Sequence, residues 1–341
     1  MNSTSKNTAF NIGGAFSLMD TDPFIVKNGD YLNYFPETLN ASSKRFFLET
    51  GADAMAFILK GILDKKKVEE VFFPFHYCQD SIERLNIKVK GLHIKRYKNP
   101  TELYKYTTTS VVFWNHLNVY SALPNQLITN KNLIIIEDFV QAPLDIFKSK
   151  SSYCFNSLRK FCNLELAICY TNFPQKISTS NKASAYYKGK KNAQLIKHYF
   201  QKTAFKGLEK EYLDCFKQAE KKTACSNIIK AFITEEAKLK HINFNAIKSK
   251  RLTNYDSLLK QINNIKKITV LDGSYMYMMI ECENRDGLRN YLAQNNIYTA
   301  VHWADSHDKI RAKKSLSIHI DHRYNIAEIE KVAMSFLSYY E

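Results

Sequence analysis

Three apolar runs, Val71-Phe72-Phe73, Val111-Val112-Phe113-Trp114 and Leu133-Ile134-Ile135-Ile136, stand out from the mixed pattern around them. Short runs of this kind, set apart by helical or loop segments, predict strands of a mainly parallel sheet covered by helices. The first run stops at Pro74, which has no N–H for a ladder. A further short strand is expected at 92–94. Between these strands the pattern predicts an apolar-rich helix over 54–63 and another around 80–85. The first of these helices opens on the small-residue turn Thr50-Gly51-Ala52-Asp53.

The texture changes twice more along the chain. Residues 180–265 are charged and read as helical, with one long connecting helix over 234–255. The last part alternates: strand 275–280, helix 286–294, strands 298–302 and 316–320, and a closing helix 326–339. Before Lys44, Gly13-Gly14 and several Asp, Pro and Asn turn signals predict an irregular arm. The expected fold class is α/β, a mainly parallel sheet with covering helices, plus a smaller α+β domain at the C-terminal side. The expected boundaries are an arm at 1–40, a large domain at 41–240 and a small domain at 241–341.

Composition narrows the class. The chain has 341 residues, 45% hydrophobic and 24% charged, which is ordinary for a globular protein with a sizeable core. No run of about 18 apolar residues predicts a membrane span. The polar stretch 1–11 has neither the basic nor the apolar part of a signal peptide, so a cytoplasmic location is the expectation. Seven cysteines, an odd number without CxxC pairing, read as buried thiols and not as a disulfide framework or zinc site. The net charge of +16 raises nucleic acid as a partner. The basic clusters are scattered, however, and no nucleic-acid motif accompanies them, so no specific nucleic acid is expected.

The glycines are few and form neither GxGxxG nor GxxxxGK[ST], so dinucleotide and P-loop chemistry lack their fingerprints. His319-Ile320-Asp321-His322 reads as a strand and polar turn, and no metal is expected. The turn Thr50-Gly51-Ala52-Asp53 is more useful, because a helix start offers free N–H groups to an anion. Asp138 follows the 133–136 strand, where a carboxylate points into the crevice of an open α/β sheet. Lys160 comes about 20 residues later, among Tyr153, Phe155 and Phe161. His76 and His116 each follow a strand end.

Taken in order, these segments resemble the pyridoxal 5′-phosphate (PLP) dependent sugar aminotransferases of the DegT/DnrJ/StrS type, which share the aspartate aminotransferase fold. Ile12-Gly13-Gly14-Ala15-Phe16 is similar to an opening found in one branch. Phe73-Pro74-Phe75-His76-Tyr77-Cys78 resembles the loop beside the cofactor ring. Glu137-Asp138-Phe139-Val140-Gln141 and Ser157-Leu158-Arg159-Lys160 resemble the paired aspartate and lysine motifs. Ile297-Tyr298-Thr299-Ala300-Val301-His302-Trp303 and Ile320-Asp321-His322-Arg323-Tyr324 resemble two C-terminal segments. The chain departs from the family after the lysine, where a Gly-Gly is usual and Asn163-Leu164-Glu165-Leu166-Ala167-Ile168 stands instead.

The resemblance implies that residues 41–240 bind PLP. Lys160 would form the Schiff base and Asp138 would hold the ring nitrogen protonated; these two are the expected catalytic residues. The cofactor would also meet Gly51, Ala52, Asp53, Tyr77, Cys78, Gln141 and Ser157. His76, His116 and Arg323 are the candidates for substrate contact. The implied partners are an amino donor (glutamate), a keto substrate (a nucleotide-linked sugar for surface polysaccharide) and a second copy of the chain as a homodimer. The alternative is a degenerate member with a non-catalytic binding or scaffold role, motivated by the missing glycines.

Overall fold

The computed structural model describes residues 11–40, 42–117, 121–174, 177, 182–271, 274–302 and 306–341. The three apolar runs form the middle of an eight-stranded sheet. Its strands are β1 (Thr38–Leu39), β2 (Ser43–Leu48), β3 (Glu70–Pro74), β4 (Ile94–Tyr97), β5 (Ser110–Asn115), β6 (Leu133–Asp138), β7 (Cys154–Phe155) and β8 (Ala167–Thr171). They lie in the order β1-β2-β8-β7-β6-β5-β3-β4. The five strands from β4 to β7 run parallel, and β8, β2 and β1 complete the sheet antiparallel. Every residue of β6 is buried, which is why its sequence shows no alternation.

Helices Gly51–Leu63 and Gln79–Lys88 cover one side of the sheet. Thr50 caps the first by accepting the N–H of Asp53 at 3.1 Å. Helices Ala185–Thr203 and Lys206–Lys221 form a hairpin with a small core of its own around Phe200, Tyr212 and Phe216. A second, antiparallel sheet carries β9 (Ile268–Val270), β10 (Tyr277–Cys282) and β11 (Ser315–His319) in the order β11-β10-β9. Helices Phe244–Ile262, Arg285–Gln294 and Ile326–Tyr340 pack on it. All seven cysteines are free thiols.

Two expected elements differ. The long helix over 234–255 is two helices, Ile233–Leu239 and Phe244–Ile262. The arm causes the break: Val26 donates to the His241 carbonyl at 2.7 Å and Gly29 to that of Lys240 at 3.0 Å. Asn243 then caps the second helix by accepting from Ala246. The expected strand over 298–302 is no strand. Its ladder contacts reduce to two isolated bridges, Ile297 with Ile12 and Ala300 with Ser317, because the arm occupies part of that edge.

Candidate active site

The parallel strands deliver their chemistry at one edge. β5 ends at Asn115 directly beside Asp138, the last residue of β6. The Asp138 carboxylate is buried. Its Oδ2 accepts the Tyr77 hydroxyl at 2.5 Å and its Oδ1 accepts the Val140 N–H at 2.8 Å. Burial pushes the Asp138 carboxyl up, against these two hydrogen bonds, which favour the charged form. Tyr77 itself is buried beside Phe73, with ring centroids 5.0 Å apart. Burial and the neighbouring carboxylate push its phenol well above the usual range, so it remains a donor.

Lys160 closes the short turn Leu158–Lys160, with Ser157 at its start. No hydrogen bond or ion pair holds its amine among the described residues. Desolvation, and then the charge of Arg159, lowers the Lys160 ammonium from its ordinary range. A narrow slot of about 60 Å³ brings Lys160 together with Gly51, Ala52, Tyr77, Cys78, Asp138, Gln141 and Ser157. It shares Cys78, Arg159 and Lys160 with an outer cavity of about 380 Å³.

The polar groups that line the slot suit a phosphorylated pyridine. Ser157 Oγ and Gln141 Nε2 are buried without a hydrogen-bond partner among the described residues. Each orphaned group costs about 1–3 kcal/mol, and here both face the same slot. Gly51 and Ala52, the first residues of their helix, have no intrahelical acceptor for their N–H groups. A Cβ on Gly51 would lie 3.6 Å from the Ser157 Cβ and 3.7 Å from Val140 Cγ2, filling the space between helix start and Ser157.

Two expected contacts, Asp53 and His116, need correction, while Arg323 and His76 border neighbouring cavities. The Asp53 N–H is taken by Thr50, and its carboxylate pairs with the buried Lys88 at 2.9 Å, away from the slot. His116 is fully buried and cannot touch a substrate. It lies 2.9 Å from Glu137, accepts the Ser121 N–H at 3.2 Å and stacks on Phe139. Glu137 also accepts from Ser149, Lys150 and Ser151, so this network braces the strand end that carries Asp138. Arg323 borders the outer cavity, but its fork is engaged. It chelates Asp321 through two 2.7 Å contacts and donates to the carbonyls of Gly14 and Ala15. His76 borders a different cavity of about 450 Å³, which shares the lining residue Asn115 with the slot. Burial pushes its imidazole down to about 4.

The turn after Lys160 needs no glycine. No residue from 161 to 168 has a positive φ. Side chains anchor it instead: Asn163 N–H donates to Thr21 Oγ1 at 2.8 Å, and Glu165 accepts from Tyr186 at 2.6 Å and Gln194 at 2.9 Å. Arg251, buried in helix Phe244–Ile262, donates to the Phe161 carbonyl at 2.6 Å and to those of Tyr275 and Met276. It thereby ties the turn after Lys160 to the small sheet. The arm supplies a wall of the outer cavity at Gly14, Ala15 and Phe16. Gly13 N–H is held by the Tyr324 hydroxyl at 2.6 Å.

Arg84, Asn115 and Tyr277 carried no sequence signal, and Arg159 and His302 stood inside motifs without a role of their own. Arg84, Arg159 and Asn115 border the slot, and His302 and Tyr277 border the outer cavity. Burial, then the Lys160 charge, pushes the His302 imidazole down to about 3. Trp303, part of one C-terminal motif, lies outside the described residues. Among the described residues no His, Cys, Asp or Glu group is placed to hold a metal, and no helix is long and apolar enough to cross a membrane.

No protein-family model and no curated protein sequence matches the chain. Solved structures do. S. venezuelae DesV, in complex with a ketimine intermediate, matches with TM-score 0.62 at 14% identity, over 98% of this chain and 92% of its own. DesI in the presence of its TDP-sugar product matches with TM-score 0.63 at 12% identity, over 96% and 93%. The PMP-form of the sugar aminotransferase Spr1654 from Streptococcus pneumoniae matches with TM-score 0.61 at 11% identity, over 96% and 97%. At such identities the likeness is one of architecture: the chain has the fold of these solved structures.

Proposed function

We propose that the protein is a PLP-dependent aminotransferase that moves an amino group from an amino acid, glutamate by family likeness, to the keto group of a nucleotide-linked sugar. The observation that carries this is the convergence of four groups on one slot. They are the unpaired Lys160 amine, the buried Asp138 carboxylate and the two orphaned atoms, Ser157 Oγ and Gln141 Nε2.

Lys160 would hold the aldehyde carbon of PLP and Asp138 its ring nitrogen. Gln141 would meet the ring hydroxyl, and Ser157 with the N–H groups of Gly51 and Ala52 the phosphate. Bound there, PLP supplies an electron sink for charge developing beside the transferred nitrogen. Tyr77 favours the charged form of Asp138 by donating to it. Lys160 Nζ, lowered by desolvation, has the larger neutral fraction that an amine needs to take a proton from a substrate carbon and return it. The outer cavity gives donor and acceptor in turn access to that amine.

A nucleotide-linked acceptor is supported by the neighbouring cavity, where Phe75 and Trp114 offer aromatic faces and Lys98 and Arg311 positive charge. DesI, solved in the presence of its TDP-sugar product, supports the same class. A role in surface polysaccharide and a homodimer follow from the family likeness alone. The scaffold alternative rested on the missing glycines, and the turn that lacks them needs no positive φ.

Borohydride reduction of the PLP-loaded protein, followed by peptide mapping, tests the assignment. The pyridoxyl label should fall on Lys160, and Lys160→Ala should lose the near-ultraviolet to visible absorbance. A label on another lysine overturns it.

A further inference from the structure

A phosphate in the slot raises a question of charge. Two helix N–H groups and a hydroxyl are good donors but contribute little net charge, and a buried dianion without counter-charge is costly. Two guanidinium groups border the same slot as Gly51, Ala52 and Ser157: Arg84, from helix Gln79–Lys88, and Arg159.

They come from distant parts of the chain and meet at one carboxylate. Glu220, in the last turn of helix Lys206–Lys221, receives Arg84 Nη1 on Oε2 at 3.2 Å and Arg159 Nη1 on Oε1. Lys190 joins on Oε1 at 3.1 Å. Like charges so close repel each other, and Glu220 holds them together. Burial would raise its carboxyl, but Arg159 and Lys190 outweigh that and hold it at about 2. The guanidinium fork has donors to spare. Arg84 uses Nε on Asp80 at 2.9 Å and Nη1 on Glu220 and Thr223, and its Nη2 has no partner among the described residues.

Given the PLP reading of the slot, we infer that Arg84 and Arg159 are the charge partners of the cofactor phosphate, held side by side by Glu220 on the helical hairpin. The counter-charge is then supplied within one chain.

The test compares PLP with pyridoxal, which has the same ring and aldehyde but no phosphate. Dissociation constants are read from the absorbance of the bound compound, with thermal unfolding of the unloaded protein as the check on folding. Arg84→Gln and Arg159→Gln should each weaken PLP by about tenfold or more. Pyridoxal should change by less than about twofold in both. Arg84→Lys, which keeps the charge and loses the fork, should fall between. If Arg84→Gln does not fold, the ratio of PLP to pyridoxal affinity in Arg84→Lys decides, and an unchanged ratio overturns the inference. PLP affinity that survives both substitutions, or PLP and pyridoxal affinities that fall together, overturns it while leaving the cofactor assignment intact. A native protein that binds neither compound ends the cofactor assignment, and the inference with it.

Discussion

Tyr77 donates its phenolic hydrogen to Asp138 across 2.5 Å, although the two residues lie 61 positions apart. The carboxylate is raised by burial, and this hydrogen bond is the main influence working the other way. Tyr77→Phe removes it and raises Asp138 further. A hydrogen bond to a charged group contributes about 1.5–3 kcal/mol, so a loss of that order in stability is expected. Turnover should fall by roughly tenfold or more, and the acidic limb of its pH profile should move to higher pH as Asp138 becomes harder to ionise. An unmoved limb would assign Tyr77 to packing alone. Asp138→Asn should lower turnover far more than stability. A stability collapse with normal turnover in the folded fraction would make Asp138 a cap.

Gly51 separates the needs of the fold from those of a ligand. The contacts a Cβ would make, 3.6 and 3.7 Å, are ordinary. The unloaded Gly51→Ala protein should therefore match the native one in thermal unfolding, or gain up to about 1 kcal/mol from the better helix residue. PLP should bind it more weakly, because the methyl group enters the space expected for the phosphate. Undiminished PLP affinity would move the phosphate elsewhere.

Lys197 makes stability depend on pH. It is buried, donates to the Ala15 carbonyl, and is pushed down to about 7, first by burial and then by Arg323, against Asp20 and Asp321. Its ordinary value is 10.5. Between these values the unfolded chain carries the extra proton, so the contribution of Lys197 to stability rises with pH from about 7 to 10.5. Below that window both states are protonated and the burial penalty is felt in full. Denaturant unfolding of native protein and Lys197→Met across the window should show the difference between them changing in this direction. A difference independent of pH would contradict the lowered value.

Arg251 should be among the most sensitive positions outside the slot. Arg251→Leu leaves the buried carbonyls of Phe161, Tyr275 and Met276 without their donor. At about 1–3 kcal/mol for each orphaned group, a loss of at least about 3 kcal/mol is expected in denaturant unfolding. A loss below about 1 kcal/mol would mean that water or a neighbour replaces the guanidinium.

Legibility followed the range of the interaction. The 133–136 strand was readable because a strand covered on both faces is apolar throughout. β2, Ser-Lys-Arg-Phe-Phe-Leu, mixes buried and exposed positions and carries no clear strand pattern. The helix break at 240–243 is imposed by residues 24–29, and no local pattern records that. The same holds at the site. Asp138 with Gln141, and Ser157 with Lys160, lie within short segments that a motif can hold. Arg84 and Glu220 are 136 positions apart, so only the folded chain brings them together. His116 is a candidate for substrate contact because it follows a strand end, yet it is fully buried against Phe139 and Glu137.

The hydrogen bond from Gly13 to Tyr324 spans 311 positions. The wall that Gly14, Ala15 and Phe16 give the outer cavity therefore depends on a residue that the ribosome adds long afterwards. While the ribosome is still adding residues before Tyr324, Lys160 already exists but its chamber stands open on that side. On the proposed reading, a chain interrupted before Tyr324 would leave the Lys160 amine without that wall.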